Sequence, residues 1–283
     1  MFDLDEYMEK LRTRIDTAID ERMPPADARP AVLHRAMRYA VLGGGKRLRP
    51  VLCLAAAEAA GGCREDALDA AVAVELLHAY TLIHDDLPCM DDDALRRGKP
   101  TCHVEFGEAN AVLAGDALQA LSFELAARAP AGPRYPAGQV VIELARAAGS
   151  LGIVGGQAED ISFAGRKADT DTVQFIHRRK TAELFRAAAR MGAISADAAP
   201  SVLEALTIYA VELGLAFQIA DDLIDAESGK PDPVSCLTAY GVPRAREESR
   251  RHTANAVAAL EALPGEAGMP LAALAKSIQA REA

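Results

Sequence analysis

Two aspartate clusters are the residues of this chain best suited to hold a metal ion. They are Asp85, Asp86 and Asp91, and Asp221, Asp222 and Asp225. Each cluster follows a long apolar stretch, and neighbouring carboxylates at a helix C-terminus repel one another and oppose the helix macrodipole. A divalent cation removes both penalties, and oxygen-only ligands suit Mg²⁺. The pattern therefore favours magnesium binding over aspartates that only decorate a surface.

Three short basic segments are candidate diphosphate-binding groups. Magnesium held by few carboxylates completes its coordination with substrate phosphates, which arginine forks match in pairs. Glycines beside cations also allow close backbone approach. The segments are Gly43-Gly44-Gly45-Lys46-Arg47-Leu48-Arg49-Pro50, Arg96-Arg97-Gly98-Lys99 and His177-Arg178-Arg179-Lys180-Thr181. Each segment alone is about as typical of a solvated surface as of a binding site. Because the segments alternate with two metal sites, together they indicate a pair of diphosphate pockets.

The elements that must position these groups are helices. Aromatic residues make up only 5% of the chain, and Ala, Leu, Glu and Arg dominate, a composition that favours helices over sheets. One helical face is formed by Leu206, Tyr209, Leu213 and Phe217. Two more helices are predicted over residues 65–86, where Pro88 prevents continuation, and over residues 106–128.

Proline and glycine clusters divide the helices from one another. We expect breaks at Met23-Pro24-Pro25, Gly61-Gly62, Gly98-Lys99-Pro100, Pro130 to Pro136, Gly155-Gly156 and Lys230-Pro231-Asp232-Pro233. About ten to twelve helices result, with no linker long enough to separate domains. The prediction is one all-α domain over residues 1–283.

Composition excludes several classes of protein. The formal net charge of −10 argues against nucleic-acid binding, which requires basic surfaces. Five cysteines without a CxxC pair suggest neither a disulfide framework nor a zinc site and fit a reducing cytoplasm. The acidic N-terminal segment lacks the apolar core of a signal peptide, and no uninterrupted apolar run of about 18 residues predicts a membrane span.

Several motifs in fixed order resemble the trans-isoprenyl diphosphate synthase family, most closely its bacterial farnesyl diphosphate synthases. They are GGGKRLRP, HAYTLIHDDLPCMDDDALRRGKPTCHVEFGEANAVLAGDALQALSFELAA, GGQAEDI, HRRKTAELF and GLAFQIADDLID, so that the resemblance extends from about Tyr39 to Asp225. It implies an isoprenoid-synthase-type helical bundle around a deep central cavity, usually paired as a homodimer. It also implies a reaction that joins isopentenyl diphosphate to an allylic diphosphate, dimethylallyl or geranyl.

The resemblance implies a role for each group by its position. Three magnesium ions are expected per active site. Asp85 and Asp91 look like the ligands of the first motif, and Asp86 supports them. Asp221 resembles the ligand of a further magnesium ion, which Asp222 and Asp225 would contact through water. The residues that match the family's isopentenyl diphosphate site are Gly45, Lys46, Arg49, His78 and Arg97. Those that match its allylic diphosphate site are Arg96, Lys180, Thr181 and Gln218. The carbonyls of Lys180 and Thr181 and the Gln218 amide are expected to steady an allylic cation.

Product length is expected to depend on the helix that carries Asp85. Tyr80 lies five residues earlier, about 7.5 Å down the helix axis, and with Thr81 it is a candidate floor for the growing chain. Ordinary core packing explains Tyr80 equally well. The resemblance favours the fifteen-carbon product, farnesyl diphosphate. Geranylgeranyl diphosphate is the alternative, because related twenty-carbon enzymes share the DDLPCMD form.

Three other functions are left open. A non-catalytic partner subunit is suggested by the stretch after Asp225, which is shorter than the family pattern and retains only Lys230. A terpene cyclase shares an aspartate-rich helix but normally pairs it with an Asn/Ser/Glu metal motif. A metal phosphohydrolase would use the His84-Asp85 dipeptide and would leave the second aspartate cluster unexplained.

Overall fold

The chain folds as a bundle of α-helices, which confirms the predicted fold class. The computed structural model describes residues 2–163, 166–227 and 234–280. The helices in these ranges are α1 Leu4–Arg22, α2 Ala31–Leu42, α3 Leu48–Ala59, α4 Leu68–Asp85, α5 Cys102–Phe106, α6 Glu108–Arg128, α7 Gln139–Ala148, α8 Ile153–Ser162, α9 Thr170–Ile176, α10 Glu183–Ser195, α11 Pro200–Glu227, α12 Cys236–Tyr240, α13 Val242–Ala259 and α14 Met269–Gln279.

Shorter elements join the helices. Short 3₁₀ helices cover Arg64–Ala67 and Leu260–Ala262, and a π-helix covers His177–Ala182. Two strands, β1 Leu95–Arg96 and β2 Lys99–Pro100, pair as an antiparallel hairpin. The described residues thus hold more helices than expected, because five-residue helices such as α5 and α12 are too short to show a period in the sequence.

Helices α4 and α11, which carry the aspartate clusters, lie inside the bundle. Helix α4 packs against α3, α6 and α10, and α11 packs against α10 and α13. Both are long and apolar enough to qualify as membrane spans by length and composition, but 72% of the apolar window in residues 64–85 and 50% of that in residues 200–226 is buried within the protein. Their apolar character is therefore explained by packing in the core.

Most of the predicted helix boundaries are confirmed within a few residues. Helix α4 ends at Asp85, before Pro88, although its first turn is 3₁₀ rather than α. Helix α6 begins at Glu108 because Gly107 adopts a φ of 83°, a conformation that glycine tolerates readily. On α11, Leu206, Tyr209 and Leu213 are fully buried, as the predicted face requires.

The predicted break at Gly155-Gly156 is wrong, because both glycines lie inside α8. A Cβ on Gly155 would lie 1.9 Å from the carbonyl oxygen of Ser150, and one on Gly156 would lie 2.5 Å from the backbone nitrogen of Lys180. Glycine is needed here because two backbones approach closely. Gly156 therefore lets α8 pack against the π-helix, and Gly155 lets α8 lie close to the turn that precedes it.

Candidate active site

The two aspartate clusters converge on one cavity. Asp85 at the end of α4 and Asp221 on α11 line the same space of about 280 Å³. The other polar residues that line it are Arg49, His78, Thr81, Arg96, Arg97, Lys180, Thr181 and Gln218. Residues separated by more than a hundred positions in the sequence are thus brought together as the aspartate-rich motifs require.

A tight turn after α4 shapes the first cluster. Beyond Pro88 the chain folds back, and the backbone N–H of Asp91 donates to the carbonyl oxygen of Asp85 at 2.9 Å. This bond holds the two aspartates side by side. The third member, Asp86, is buried and accepts from Arg96 Nε at 2.7 Å. Asp86 therefore fixes the β1–β2 hairpin rather than facing the shared cavity.

The electrostatics of the first cluster fit a cation. Burial, together with the neighbouring Asp91, raises the pKa of Asp85 to about 6, although Lys180 partly opposes the shift. Burial also raises the pKa of Asp91, with Asp160 adding to the effect. Carboxylates crowded in this way gain most from a positive charge placed between them.

Lys180 supplies part of that positive charge. Its Nζ donates to Asp160 Oδ2 at 2.6 Å. Burial alone would lower the pKa of Lys180, but Asp160 and Asp85 outweigh it and the net pKa is raised. Lys180 is therefore a permanent cation beside Asp85.

The second cluster is held in place by contacts of Asp222 with two neighbouring elements. Asp222 is buried, and its Oδ2 accepts the backbone N–H of Cys236 at 2.8 Å and lies 3.4 Å from His177 Nε2. Its Oδ1 accepts from Gln218 Nε2 at 3.0 Å. Asp222 thus connects α11 to α12 and to the π-helix, whereas Asp225 is exposed in the last turns of α11.

The basic segment at residues 177–181 lies in a π-helix, an element that often occurs at functional sites. Within it the Thr181 hydroxyl donates to Gln218 Oε1 at 2.6 Å. Because Gln218 donates in turn to Asp222, its amide has a fixed orientation. Its oxygen stays on the Thr181 side of the amide.

A second cavity of about 370 Å³ adjoins the first and contains the predicted isopentenyl diphosphate group. Its lining residues are Gly45, Lys46, Arg47, Leu48, Arg49, Glu75, His78, Arg97 and Phe217. Arg49 Nη1 donates to His78 Nε2 at 3.2 Å, and the Arg49 guanidinium lies 4.7 Å from the Phe185 ring centroid. Burial and then the positive charge of Arg49 push the pKa of His78 well below its ordinary value. His78 is therefore a neutral acceptor that orients Arg49.

One cation of the GGGKRLRP motif turns inward. Arg47 adopts a φ of 50°, is buried, and donates to Glu75 Oε1 at 2.7 Å and to Asp16 Oδ1 at 2.8 Å. Gly45 leaves room for Arg97, whose Nη1 would lie 2.8 Å from a Cβ at that position. Arg97 also donates to the carbonyl oxygen of Gly44. The glycine loop and the hairpin are thus joined through one guanidinium.

An apolar cavity of about 240 Å³ begins at Asp85 and follows α4. Its lining residues are Tyr80, Thr81, His84, Asp85, Met90, Ile153, Val154, Gln157, Ala158 and Ile161. The rings of Tyr80 and His84 meet edge to face with centroids 5.5 Å apart, and His84 Nε2 lies 3.1 Å from the carbonyl oxygen of Val112. Tyr80 is therefore held in place by α6 where it lines the cavity.

The donor set suits magnesium better than a metal enclosed by protein ligands. Among residues 2–163, 166–227 and 234–280, no group of three or more His, Cys, Asp or Glu side chains forms a complete metal site. Asp85 and Asp221 instead face a cavity lined by cations, where substrate phosphates would supply the missing ligands. A phosphohydrolase built on His84 would need a fuller protein ligand set.

Sequence reasoning missed several residues of the site. Asp160 lies within the GGQAEDI motif but was not identified as the partner of Lys180. His177 and Glu75 gave weaker signals, as a histidine beside a basic run and a carboxylate in an apolar helix. Lys230, the lysine that the shortened stretch after Asp225 retains, lies outside the described residues.

The sequence is similar to those of known proteins. Residues 30–232 match the polyprenyl synthetase family. The chain is 41% identical over 297 residues to geranylgeranyl pyrophosphate synthase 11 of Arabidopsis thaliana, covering 99% of this chain and 83% of that protein. It is 42% identical over 296 residues to the Capsicum annuum geranylgeranyl pyrophosphate synthase, covering 99% and 79%.

Solved structures of prenyltransferases have a similar fold. A crystal structure of an FPP/GFPP synthase from Zymomonas mobilis superposes with a TM-score of 0.89 at 40% identity and covers 98% of each chain. A geranyltransferase from Legionella pneumophila superposes with a TM-score of 0.88 at 32% identity, covering 98% of this chain and 97% of that one.

Proposed function

The chain belongs to the polyprenyl synthetase family of prenyltransferases, and we propose that it condenses isopentenyl diphosphate with dimethylallyl or geranyl diphosphate to give farnesyl diphosphate. The convergence of Asp85 and Asp221 on a cavity lined by cations supports this reaction. Two adjoining cavities provide one space for each substrate.

In the proposed reaction, the bond between C1 of the allylic substrate and its diphosphate breaks, and the electron pair leaves with the diphosphate. The double bond of isopentenyl diphosphate supplies the electrons of the new carbon–carbon bond, and a proton then passes to the released diphosphate. The chemistry that bound Mg²⁺ supplies is Lewis-acid stabilisation of the leaving group. We propose three ions, with Asp85, Asp91 and Asp221 as ligands and Asp86, Asp222 and Asp225 in support.

The protein's own groups bind and orient the two substrates. Lys180 and Arg96 face the allylic diphosphate in this assignment, and their fixed charges need no rearrangement as the leaving group develops charge. Lys46, Arg49 and Arg97 hold isopentenyl diphosphate, with His78 orienting Arg49. The Lys180 and Thr181 carbonyls and Gln218 Oε1 stabilise the allylic cation.

The proposal of a fifteen-carbon product is based on Tyr80. Its ring is buried, lines the apolar cavity and interacts with Gln119 of α6 through the hydroxyl. An elongating chain that starts at Asp85 would meet this ring. The second candidate is a geranylgeranyl diphosphate synthase, which is favoured by the names of the plant relatives.

The deciding experiment is incubation of the purified protein with Mg²⁺, isopentenyl diphosphate and each of three primers: dimethylallyl, geranyl and farnesyl diphosphate. We expect diphosphate release and farnesyl diphosphate as the longest main product. No release with any primer would support a non-catalytic subunit. A cyclic hydrocarbon formed without isopentenyl diphosphate would support a terpene cyclase.

We also propose that the protein is a cytoplasmic homodimer. All five cysteines are free thiols, which fits a reducing compartment. Val104, Val112 and Leu113 are 52%, 40% and 54% exposed on α5 and α6, and a second copy would cover them. Light scattering in solution tests the dimer, and Leu113→Glu should shift the mass to that of one chain.

A further inference from the structure

Gln157 is a buried amide whose hydrogen-bonding groups are unused. The residue is only 8% exposed, and neither Nε2 nor Oε1 has a hydrogen-bond partner among the described residues. Nearly all buried polar groups in native proteins are paired, because an unpaired one destabilises the fold. Folding alone therefore does not explain a glutamine here, and methionine of similar length would fill the same space without that penalty.

The position of Gln157 indicates where its partner belongs. It follows Gly156, the residue through which α8 contacts the backbone of Lys180. Gln157 also lines the apolar cavity, together with Asp85 and Tyr80. Gln157 therefore lines the apolar cavity that begins at Asp85, and it is adjacent to the residue that contacts the backbone of Lys180.

We propose that Gln157 is a further catalytic residue, whose amide contacts the reacting end of the allylic substrate. This inference rests on the proposed function and extends it. Its Oε1 faces the positive charge that develops on the allylic carbon, and its Nε2 donates to an oxygen of the departing diphosphate. The C1–O bond breaks as described above, and Gln157 neither gains nor loses a proton.

The apolar surroundings strengthen this contact. A carbonyl dipole acts far more strongly on a cation in a site shielded from water than it does in solvent. Gln218 approaches from α11 with its oxygen already bonded to Thr181. Gln157 approaches from α8 with both polar atoms available, so the two amides would flank the same carbon from different helices.

Gln157→Met separates this role from a structural one. The substitution removes an unpaired amide from an apolar cavity, so we expect the ligand-free protein to melt about 2–4 °C higher. At the same time kcat should fall about 10- to 100-fold, with a KM for geranyl diphosphate close to that of the wild type. A residue needed only for packing would give a lower melting temperature.

A fluorinated primer sharpens the test. Fluorine at C2 of geranyl diphosphate withdraws electrons from the developing cation and slows the reaction. If Gln157 stabilises that cation, the rate ratio between geranyl and fluorogeranyl diphosphate should be larger in Gln157→Met than in the wild type. The matched control is Gln174→Met, which changes an exposed glutamine on α9 and should alter neither melting temperature nor kcat.

The outcomes are distinguishable from failure of the proposed function. A wild-type protein that turns over no primer contradicts the synthase itself. An active wild type combined with an unchanged kcat in Gln157→Met overturns the role of Gln157 alone. A variant that melts lower, or that does not fold, also overturns it, because the amide would then be a structural requirement.

Discussion

Asp86 and Asp222 occupy matching places in the two aspartate clusters, and both are tied to other parts of the protein. Asp86 holds Arg96, whose side chain is 34% exposed on a two-stranded hairpin. Asp222 instead holds a backbone amide and lies against His177, with both side chains nearly inaccessible at 6% and 7%. The first cluster is thus anchored at the surface and the second in the interior. The comparison teaches that one pattern of residues can be supported in two different ways.

The neighbouring members, Asp85 and Asp221, face the shared cavity and should matter most to activity. We expect Asp85→Asn and Asp221→Asn each to lower kcat on the order of 10²- to 10³-fold, because each removes a charge from the proposed metal site. Diphosphate release at saturating substrate measures the effect. Asp171→Asn, at an exposed aspartate on α9, is the control, and a loss equal to that control would refute the shared site.

The anchoring aspartates should have smaller effects on activity but should differ in stability. Asp86→Asn and Asp222→Asn are each expected to lower activity about 10- to 100-fold, as residues that support metal ligands do. Asp222→Asn should unfold at a lower urea concentration than Asp86→Asn, because the partners of Asp222 are shielded from water. Equal urea midpoints would show that the two anchors do not differ.

The two helices also differ five residues before their aspartates, where α4 has Tyr80 and α11 has Ala216. Only α4 presents a ring to the apolar cavity. We expect Tyr80→Ala to shift the main product from fifteen to twenty or more carbons, measured by chromatography of the dephosphorylated products. Tyr39→Ala, which removes a ring outside that cavity, should leave the products unchanged. An unaltered product profile in Tyr80→Ala would mean that the floor lies elsewhere.

Two histidines near the site, half-buried His78 and buried His177, have a lowered pKa, and they give the smallest predicted effect. Burial and the positive charge of Arg49 both lower the pKa of His78. Burial also lowers the pKa of His177, but the negative charge of Asp222 offsets part of that shift. The unfolded state binds a proton first as the pH falls below about 6.5, so stability is lost below that pH. The slope is at most about 1.4 kcal/mol per pH unit for each histidine.

Replacing each histidine with glutamine should flatten that decline. His78→Gln should flatten it more than His177→Gln, because cations surround His78 and an anion faces His177. Urea unfolding from pH 7.5 to 5 without metal or substrate measures the difference. The reverse order would contradict the assignment of these environments.

Sequence alone predicted the parts of the site that depend on local chemistry. The end of α4 before Pro88 was predicted, and α6 begins at Glu108, two residues after the start expected from the sequence. The resemblance to a known family then placed Asp85 and Asp221 at one cavity, which the fold confirms.

Features that depend on distant partners were not predictable. Gly155 and Gly156 read as a break, because their contacts with Ser150 and Lys180 exist only in the folded chain. The inward turn of Arg47 depends on Glu75, a residue on another helix. In each case the residue type is visible in the sequence, but its partner is not.

The π-helix at His177–Ala182 sets the length of the chain at this point. Its hydrogen bonds span one residue more than those of an α-helix. Deleting one residue would restore ordinary winding, but everything on one side would rotate by about 100° relative to the other. Either Lys180 would lose its contact with Asp160, or α10 would lose its packing in the core. The number of residues in this segment is therefore as important to the site as the side chains it carries.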